Sequence, residues 1–472
     1  MTTRTEHDLL GDREVPAQFL YGVHTARAVE NFPITGVPIA VHAELVRALA
    51  AVKQAAARAN RELDLLPGDI AEVLDAACTE IHNGSWHDHF VVDVLQGGAG
   101  TSTNMNANEV IANRALELLG LARGRYDRVH PIDHVNLGQS TNDVYPTAIK
   151  VGLQAAMAGL RAGLSELVAA LLAKSEEFSG VLKVGRTQLQ DAVPMTLGQE
   201  FGAWGLMLRE DIERLAESAS LISEINLGGT AIGTGLNAHP RYAELVTAHL
   251  REITGFDVVT ASDLVEATQD VGVFVQLSGV LKRTAVKMSK ICNDLRLLSS
   301  GPRAGFSEIT LPSVQAGSSI MPGKINPVIP EMVNQVAYRV IGNDLTVTMA
   351  AESGQLQLNA FEPVIAHCLF NSIELLERAC RILATRCISG IEANTERLRE
   401  MVDISIGVVT ALNPYLGYRT ASDVAAEALA TGRTVASLVL EKALMTEEQL
   451  AFALSPENLV HGLPSEPVVP VR

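Results

Sequence analysis

The sequence is poor in aromatic side chains. Phenylalanine, tryptophan and tyrosine make up only 4% of its 472 residues, whereas hydrophobic residues as a whole make up 47%. The core therefore has to be built from Ala, Leu, Val and Ile, which suits close packing of helices better than a β-sandwich. Charged residues are 19% of the chain, so extensive disorder is excluded. At roughly 150 residues per domain, the length predicts about three domains.

Positive charge is also scarce. Lys and Arg number 37 against 54 Asp and Glu, which gives a formal net charge of −17. Proteins that bind nucleic acid or anionic membranes need a basic face, so both functions are disfavoured. The sequence lacks an uninterrupted apolar run of about 18 residues, and the N-terminal MTTRTEHDLLGDREVP does not have the pattern of a signal peptide. We expect a cytoplasmic protein that binds neither nucleic acid nor membrane.

Cysteine use is low and irregular. The five cysteines are an odd number, and no two of them have CxxC spacing, so neither a disulfide framework nor a zinc site is expected. Buried free thiols are the simpler expectation. The stretch HNGSWHDH places His82, His87 and His89 near Asp88, but histidines of a solvated loop explain it better than a metal site does. We predict no metal site from these residues.

Three stretches carry apolar residues at alternating intervals of three and four, the period of an amphipathic helix. They fall between residues 150 and 178, between 274 and 298, and after Pro363, and the segments after Pro194 and Pro327 have a similar period. A segment of ~27 residues spans ~40 Å at 1.5 Å per residue, so we predict an elongated bundle of long helices. The predicted domains are a mixed, mostly helical one at 1–139, the long-helix domain at 140–395 and a small helical one at 396–472.

Five polar segments interrupt this helical background. They offer many hydroxyl and amide groups, almost no aromatic rings and a single lysine, which is how a pocket for a small polyanion would be lined. Each segment taken alone is explained as well by helix caps and turns. The segments are 97–109 (GGAGTSTNMNANE), 136–148 (NLGQSTNDVYPTA), 185–200 (GRTQLQDAVPMTLGQE), 227–238 (LGGTAIGTGLNA) and 316–331 (AGSSIMPGKINPVIPE).

The segment 316–331 has the strongest chemical pattern. Asn326 and Pro327 predict an N-cap and a first helical residue, so Lys324 and Asn326 would lie at a helix N-terminus, where anions are favoured. A serine in the small-residue loop just before it could act as a base if it faced several backbone N–H groups. Composition alone favours simple solvation of Ser318 and Ser319. A nucleotide-phosphate loop is disfavoured, because Ile325 stands where a metal-binding Ser or Thr would be.

Together the five segments resemble the aspartase/fumarase superfamily, and 316–331 is very similar to its signature GSSxMPxKxNP. The resemblance extends from DLLGDREVPAQFLYGVHTARAVENFPITG near the start to GQLQLNAFEPVI late in the long-helix region, which is nearly the whole chain. It implies a mainly α subunit of three domains whose central domain supplies five long helices. Four such subunits would form a homotetramer with a twenty-helix core, and each active site would be shared between three subunits.

The resemblance is greatest to the aspartases of this superfamily, and it implies reversible anti elimination of ammonia from L-aspartate to give fumarate. Ser318 would be the general base, activated by loop amides, and no cofactor would be required. Removal of the proton leaves an aci-carboxylate, whose second negative charge preorganised donors have to hold. The resemblance assigns that carboxylate to Thr101, Ser140, Thr141 and Ser319, the other carboxylate to Lys324 and Asn326 with Thr187 nearby, and the amino group to Asn142.

Gln188 occupies the position that distinguishes aspartases from fumarases within the superfamily. Fumarases usually have a His-Leu-Gln-Asp run there, whereas this chain has Gln188 followed by Leu-Gln-Asp. An ammonium group can depart as neutral ammonia, so a strong acid is less necessary, and Gln188 fits loss of ammonia better than loss of water. Some aspartases keep the histidine, so a glutamine here favours an aspartase, whereas a histidine would not exclude one. Glu331, the partner of that histidine in fumarases, has no assigned role here.

Three other functions stay open on sequence alone. A fumarate hydratase would use the same scaffold, and a catalytically silent structural homologue, such as the crystallins related to this superfamily, would keep only the fold. A dinucleotide-binding oxidoreductase is disfavoured, because Gly98 and Gly100 begin a dinucleotide fingerprint but Thr103 occupies its third glycine position. The intact Ser318 and Lys324 argue for an active enzyme.

Overall fold

A computed structural model describes residues 2–460, and in that range the protein is mainly α-helical, which confirms the predicted fold class. Short 3-10 helices lie at Ile39–Val41, His87–His89, Ile388–Gly390 and Ile406–Leu412, and a π-helical turn lies at Pro131–Val135. The α-helices are α1 (Val23–Asn31), α2 (Ala43–Glu62), α3 (Gly68–His82), α4 (Thr101–Leu118), α5 (Thr141–Glu177), α6 (Leu197–Leu221), α7 (Tyr242–Thr254), α8 (Leu264–Gln269), α9 (Gly272–Leu298), α10 (Val328–Glu352), α11 (Glu362–Arg386), α12 (Thr395–Ile404), α13 (Asn413–Leu416), α14 (Tyr418–Thr431), α15 (Val435–Glu441), α16 (Glu447–Ala453) and α17 (Pro456–Val460).

The strands pair two by two and lie between the helices. They are β1 (Thr3–Asp8), β2 (Gly11–Pro16), β3 (Leu182–Thr187), β4 (Gln190–Thr196), β5 (Glu224–Ile225), β6 (Val259–Thr260), β7 (Ile309–Thr310) and β8 (Glu392–Ala393). Three pairs are antiparallel, β1 with β2, β3 with β4 and β7 with β8, whereas β5 and β6 are parallel. The β3–β4 hairpin contains most of the polar segment 185–200, for which no strand was predicted from the sequence, and the helical period predicted after Pro194 begins as α6 at Leu197.

The described part of the chain forms two compact units. Unit 1 consists of residues 2–162, 211–286 and 336–377, and unit 2 of 163–210, 287–335 and 378–460. Every division point falls inside one of the five long helices, where the apolar period continues and leaves no mark in the sequence. The three sequence-based domains, with boundaries near 139 and 395, stay a prediction.

The apolar stripes predicted for the long helices are buried. In α9 the position that interrupts the stripe is Thr284, which is also fully buried; its Oγ1 donates to the backbone oxygen of Val280 at 3.1 Å, so its polar group is satisfied within the helix. The stripe of α5 is 0–1% exposed throughout and consists of Leu153, Met157, Leu160, Leu164, Leu167 and Leu171. The 3/4 period therefore identified these core residues correctly.

Helix α5 is long and apolar enough to cross a membrane by length and composition, although the sequence had predicted no such segment. The core helix of a soluble protein meets the same two criteria, and 44% of the apolar window of α5 is buried inside the protein. The buried stripe of α5 gives this hydrophobicity a packing role, so it is weak evidence for a membrane span.

All five cysteines are buried free thiols, as predicted. Burial raises the pKa of the Cys368 thiol to about 11 and that of Cys387 to about 12. They therefore behave as small apolar core residues and are poor nucleophiles at neutral pH.

A histidine pair ties the start of α2 to α11 in unit 1. His42 immediately precedes α2 and is 3% exposed, and its ring stacks on Phe370 at 5.4 Å between centroids. His42 Nε2 and His367 Nδ1 share a hydrogen bond of 2.9 Å, and His42 Nδ1 lies 3.1 Å from Glu374. Burial, followed by the neighbouring His42, lowers the pKa of the His367 imidazole from 6.5 to about 4. His367 is therefore neutral in the folded protein at physiological pH.

We expect acid to destabilise the protein through His367. Between about pH 6.5 and pH 4 the unfolded chain carries a proton on this residue and the folded chain does not, so stability is lost as the pH falls. The loss between pH 7.5 and pH 5 should be about 1 kcal/mol, once solvent screening of this half-buried group is allowed for. Denaturant titrations at both pH values should show a smaller loss for His367→Gln. Equal losses in the two proteins would contradict this role.

Candidate active site

Three of the five polar segments meet in unit 1. Segment 97–109 contacts segment 136–148 through Asn104, whose Nδ2 donates to Thr141 Oγ1 at 3.0 Å. Segment 227–238 contacts the same stretch, because Asn142 Nδ2 donates to the backbone oxygen of Ala231 at 2.7 Å. The structure therefore brings the starts of α4 and α5 together with a glycine-rich loop, and this group is called the unit 1 cluster.

The start of α4 is a left-handed turn that presents Thr101. Gly98, Ala99 and Gly100 all have positive φ, between 53° and 90°. A Cβ on Gly100 would lie 2.2 Å from the ring of Tyr145 on α5, so only glycine fits this approach. Thr101 is exposed, and its hydroxyl donates to the backbone oxygen of Gly98 at 2.7 Å.

Ser140 and Asp143 cap the start of α5, and Asp143 also anchors the glycine-rich loop. Ser140 Oγ accepts from the N–H of Asn142 at 3.2 Å, and the N–H of Ser140 donates to Asp143 Oδ1 at 3.0 Å. Asp143 Oδ2 accepts from the N–H groups of Gly228 and Thr230 at 3.0 and 2.9 Å. Burial raises the pKa of this carboxyl group to about 6, although the three N–H donors act in the opposite direction. Asp143 thus joins the start of α5 to the glycine-rich loop.

These contacts decide which polar groups of the unit 1 cluster are left to bind a ligand. Because Thr141 Oγ1 accepts from Asn104, its own O–H is left to donate, which suits a carboxylate. The Asn142 side chain donates an amide N–H to the backbone oxygen of Ala231, and this contact does not use its amide oxygen. That oxygen can accept a hydrogen bond, which suits an ammonium group. Thr141 thus offers a hydroxyl donor and Asn142 an amide acceptor, and both residues are half-buried.

In unit 2 the hairpin β3–β4 presents the two residues predicted from segment 185–200. Thr187 ends β3, and Gln188 and Leu189 form the turn with φ of 54° and 62°. This turn requires positive φ at both positions and usually contains Asn and Gly, so two ordinary side chains there are strained. Thr187 and Gln188 are exposed, and the sequence carried no turn signal that could have placed them on a hairpin.

Buried ion pairs hold this hairpin in unit 2. Glu308 is fully buried, and its carboxylate lies 2.9 Å from Lys183 Nζ and also pairs with Arg186. Lys183 is 2% exposed and also contacts Glu200 at 2.5 Å. The guanidinium of Arg186 lies 4.4 Å from the centroid of the Phe306 ring. Since Glu308 immediately precedes β7, these pairs connect the hairpin to the chain that leads into segment 316–331.

The serine loop, residues 317–326, is closed at its base. The N–H of Gly317 donates to the backbone oxygen of Lys324 at 2.8 Å, and Asn326 Nδ2 donates to the backbone oxygen of Gly317 at 2.6 Å. Helix α10 begins at Val328, so Asn326 closes the loop, and its side chain does not cap the helix as the sequence had predicted. Lys324 and Ser319 are exposed, and Asn326 is half-buried.

Ser318 is the acceptor of this loop. Its Oγ accepts from the N–H groups of Ile320 and Met321 at 3.2 and 2.9 Å. Two N–H donors directed at one oxygen stabilise a negative charge on it, so this geometry is compatible with an alkoxide at Ser318. Within unit 2, the loop and the hairpin form the unit 2 cluster.

A polar cavity of about 700 Å³ borders the serine loop in unit 2. Lys324 and Asn326 line it together with Arg296 of α9 and Glu331 of α10. Sequence reasoning missed Arg296, because it belongs to a helix and none of the polar segments contains it. The cavity is rich in hydroxyl groups, which come from Ser299, Ser300, Ser307, Thr310 and Ser313.

The histidine-rich stretch has a structural role. His89 Nδ1 accepts from the N–H of Leu20 at 3.0 Å, and His87 Nε2 is 2.9 Å from the backbone oxygen of Ile81. Between residues 2 and 460, no group of three or more His, Cys, Asp or Glu side chains is arranged to hold a metal ion.

The chain is similar to known proteins over nearly its whole length. The sequence matches the lyase family over residues 11–342 and the fumarase C C-terminus over residues 408–461. An aspartate ammonia-lyase of Pseudomonas aeruginosa is 59% identical over 460 residues, 97% of each chain. The fumarate lyase:delta crystallin of Brucella melitensis bound to cobalt is 56% identical, with a TM-score of 0.95 over 98% of this chain and 100% of that one. A class II fumarase of Schistosoma mansoni is 35% identical, with a TM-score of 0.91 over 96% of this chain and 98% of that one.

Proposed function

Since the chain belongs to the lyase family of the aspartase/fumarase superfamily, we propose that it is an aspartate ammonia-lyase, which converts L-aspartate reversibly into fumarate and ammonia. The observation that carries this proposal is 59% identity with an aspartate ammonia-lyase over 97% of the chain, against 35% with a class II fumarase. Gln188 supports the same choice, because a neutral amide at the hairpin tip suits loss of ammonia better than loss of water. The enzyme is a carbon–nitrogen lyase that needs no cofactor for its chemistry.

Ser318 is the proposed general base. The proton next to the side-chain carboxylate is barely acidic, so the base has to be an alkoxide or close to one. The two N–H donors at 3.2 and 2.9 Å supply that stabilisation without a charged neighbour. Closure of the loop base at Gly317 keeps both donors directed at the Ser318 oxygen.

The remaining residues take the two carboxylates and the amino group. Thr101, Ser140, Thr141 and Ser319 hold the carboxylate that becomes an aci-carboxylate, and their hydroxyl donors are neutral. Lys324 and Asn326, with Thr187 nearby, hold the other carboxylate, and Asn142 with Gln188 contacts the leaving amino group. A single cation beside many neutral donors avoids binding the ground state as strongly as the transition state.

We infer further that the active site is completed by assembly. The unit 1 cluster and the unit 2 cluster would come from different copies in a homotetramer, with each site shared between three subunits. Helix α10 supports this, because it buries one face and leaves an apolar stripe on the other. That stripe consists of Tyr338, Ile341, Leu345 and Met349, which are 37–63% exposed. Exposed apolar rows of this kind are typical of helices that pack against another subunit. We place the enzyme in the cytoplasm, as a soluble protein that binds neither nucleic acid nor membrane.

Activity is tested by incubating the purified protein with L-aspartate and, separately, with L-malate. Fumarate is followed by its ultraviolet absorbance. We expect fumarate from L-aspartate alone. Fumarate from L-malate alone would instead establish a fumarate hydratase, and fumarate from neither would favour a silent structural homologue.

Replacement of the two loop serines separates the base from a carboxylate ligand. Ser318→Ala removes the proposed base, so turnover should fall below detection while the fold and the tetramer persist. Ser319→Ala removes one hydroxyl donor and should leave measurable turnover, lowered about 10²–10³-fold. Rates of fumarate formation and light scattering on both variants provide the test. Substantial activity of Ser318→Ala would rule out Ser318 as the base.

Leu345→Glu tests the apolar stripe of α10. A charge at its centre should break the assembly, so light scattering should show a smaller species in place of four 50.4 kDa chains, about 200 kDa in total, and activity should be lost. Leu429→Glu places the same charge on α14 at a position that is 75% exposed and should change neither mass nor activity. An active monomer in either preparation would contradict shared active sites.

A further inference from the structure

Lys53 is a buried lysine inside unit 1. It lies in the alanine-rich helix α2 and is only 1% exposed. Its Nζ donates to Asn136 Oδ1 at 2.8 Å and to Gln139 Oε1 at 2.9 Å. Burial lowers the pKa of the ammonium group to about 7, whereas the nearby Asp143 and, to a smaller extent, Cys78 raise it. Burying a lysine lowers the stability of a fold, so stability alone does not explain why a lysine occupies this position.

A chain of hydrogen bonds leads from Lys53 to the unit 1 cluster. Asn136 Oδ1 accepts from Lys53 and also from the Nδ2 groups of Asn104 and Asn108, both at 3.1 Å. Asn104 Nδ2 in turn donates to Thr141 Oγ1 at 3.0 Å. Lys53 is therefore three hydrogen bonds away from the Thr141 hydroxyl.

Lys53, the first residue of this hydrogen-bond series, favours one direction for each of the bonds that follow. An ammonium group only donates, so the side-chain oxygen of Asn136 has to face Lys53. That oxygen then requires N–H groups from Asn104 and Asn108, and Thr141 has to accept from Asn104. The side-chain oxygens of Asn104 and Asn108 are buried without a hydrogen-bond partner. Such groups destabilise a fold, so this orientation is maintained at a cost.

We propose that Lys53 is a positioning residue for Thr141, because it sets the polarity of the hydrogen-bond chain through Asn136 and Asn104. This inference rests on the proposed function, in which Thr141 binds the carboxylate that gains charge. With Lys53 present, Thr141 Oγ1 is an acceptor towards Asn104 and its O–H is available to substrate. Without Lys53, only the bond from Asn136 Nδ2 to the backbone oxygen of Gln139, at 3.2 Å, favours this orientation of the Asn136 amide. The amides of Asn136 and Asn104 then turn over more readily, and Thr141 can donate inward to an asparagine oxygen.

Loss of the hydrogen bond from Thr141 should raise the energy of the transition state more than that of the bound substrate. The Thr141 hydroxyl contacts both the ground-state carboxylate and the aci-carboxylate, but its donated hydrogen bond strengthens as the second negative charge develops. Lys53→Met should therefore lower kcat about 10–100-fold and change KM less than about threefold, as is typical for residues that orient a ligand.

A double-mutant cycle with Thr141→Val tests whether Lys53 acts through Thr141. We measure fumarate formation from L-aspartate for the wild type, Lys53→Met, Thr141→Val and the double variant. In the Thr141→Val background, Lys53→Met should lower kcat less than about threefold, because the hydroxyl that it positions is already gone. If Lys53→Met does not fold, Lys53→Gln, which has no ammonium group and keeps a polar side chain, takes its place.

Lys150→Met is the matched control. Lys150 is also a buried lysine of unit 1, 5% exposed, and its Nζ donates to the backbone oxygen of Glu224 at 2.7 Å. Its replacement should lower kcat by the same factor in both backgrounds. If the wild type is active and Lys53→Met lowers kcat by the same factor with and without the Thr141 hydroxyl, the positioning role is wrong, whereas the proposed function stands. A wild type that makes no fumarate would instead overturn the proposed function, and this inference with it. Melting temperatures and light scattering of each variant separate these outcomes from a loss of fold.

Discussion

Both candidate clusters are organised by backbone N–H groups that need an acceptor. In unit 1 the carboxylate of Asp143 accepts three of them, one at the start of α5 and two in the glycine-rich loop. In unit 2 the oxygen of Ser318 accepts two within its own loop. A helix start or a tight loop leaves such donors without intrahelical partners, and one oxygen placed among them fixes several residues at once. The two acceptors differ in burial, because Asp143 is buried, whereas Ser318, the proposed base, is half-buried.

The charge of the chain sets a second constraint. A protein with a net charge of −17 repels an anionic substrate at long range, so the site has to reverse the sign locally. Lys324 and Arg296 border the same cavity beside the serine loop and bring positive charge to it. Lys53 of unit 1 is too deeply buried to touch substrate.

Much of the fold was predictable because it follows from local periodicity. The stripe from Leu153 to Leu171 needed only the 3/4 spacing of apolar residues, and the structure buries all of it. The β3–β4 hairpin was not predictable, because its turn uses Gln188 and Leu189 where a turn of this kind would normally have Asn and Gly. Arg296 and Lys53 were missed for another reason. Each lies inside a helix, where a lysine or arginine is ordinary, and only packing shows that one borders a cavity and the other is buried.

The sequence by itself determined the helical class, the buried stripes and the ten candidate site residues, because periodicity and motif are properties of neighbours along the chain. Tertiary structure decided how those residues are grouped and oriented. It divided them between two clusters, made Asn326 the closure of the serine loop, and left the hydroxyl proton of Thr141 and the amide oxygen of Asn142 without a partner among these contacts. Orientation depends on which donor meets which acceptor across long stretches of chain, as Lys53 and Thr141 illustrate. Such pairings arise only when distant segments are packed together, so no local pattern encodes them.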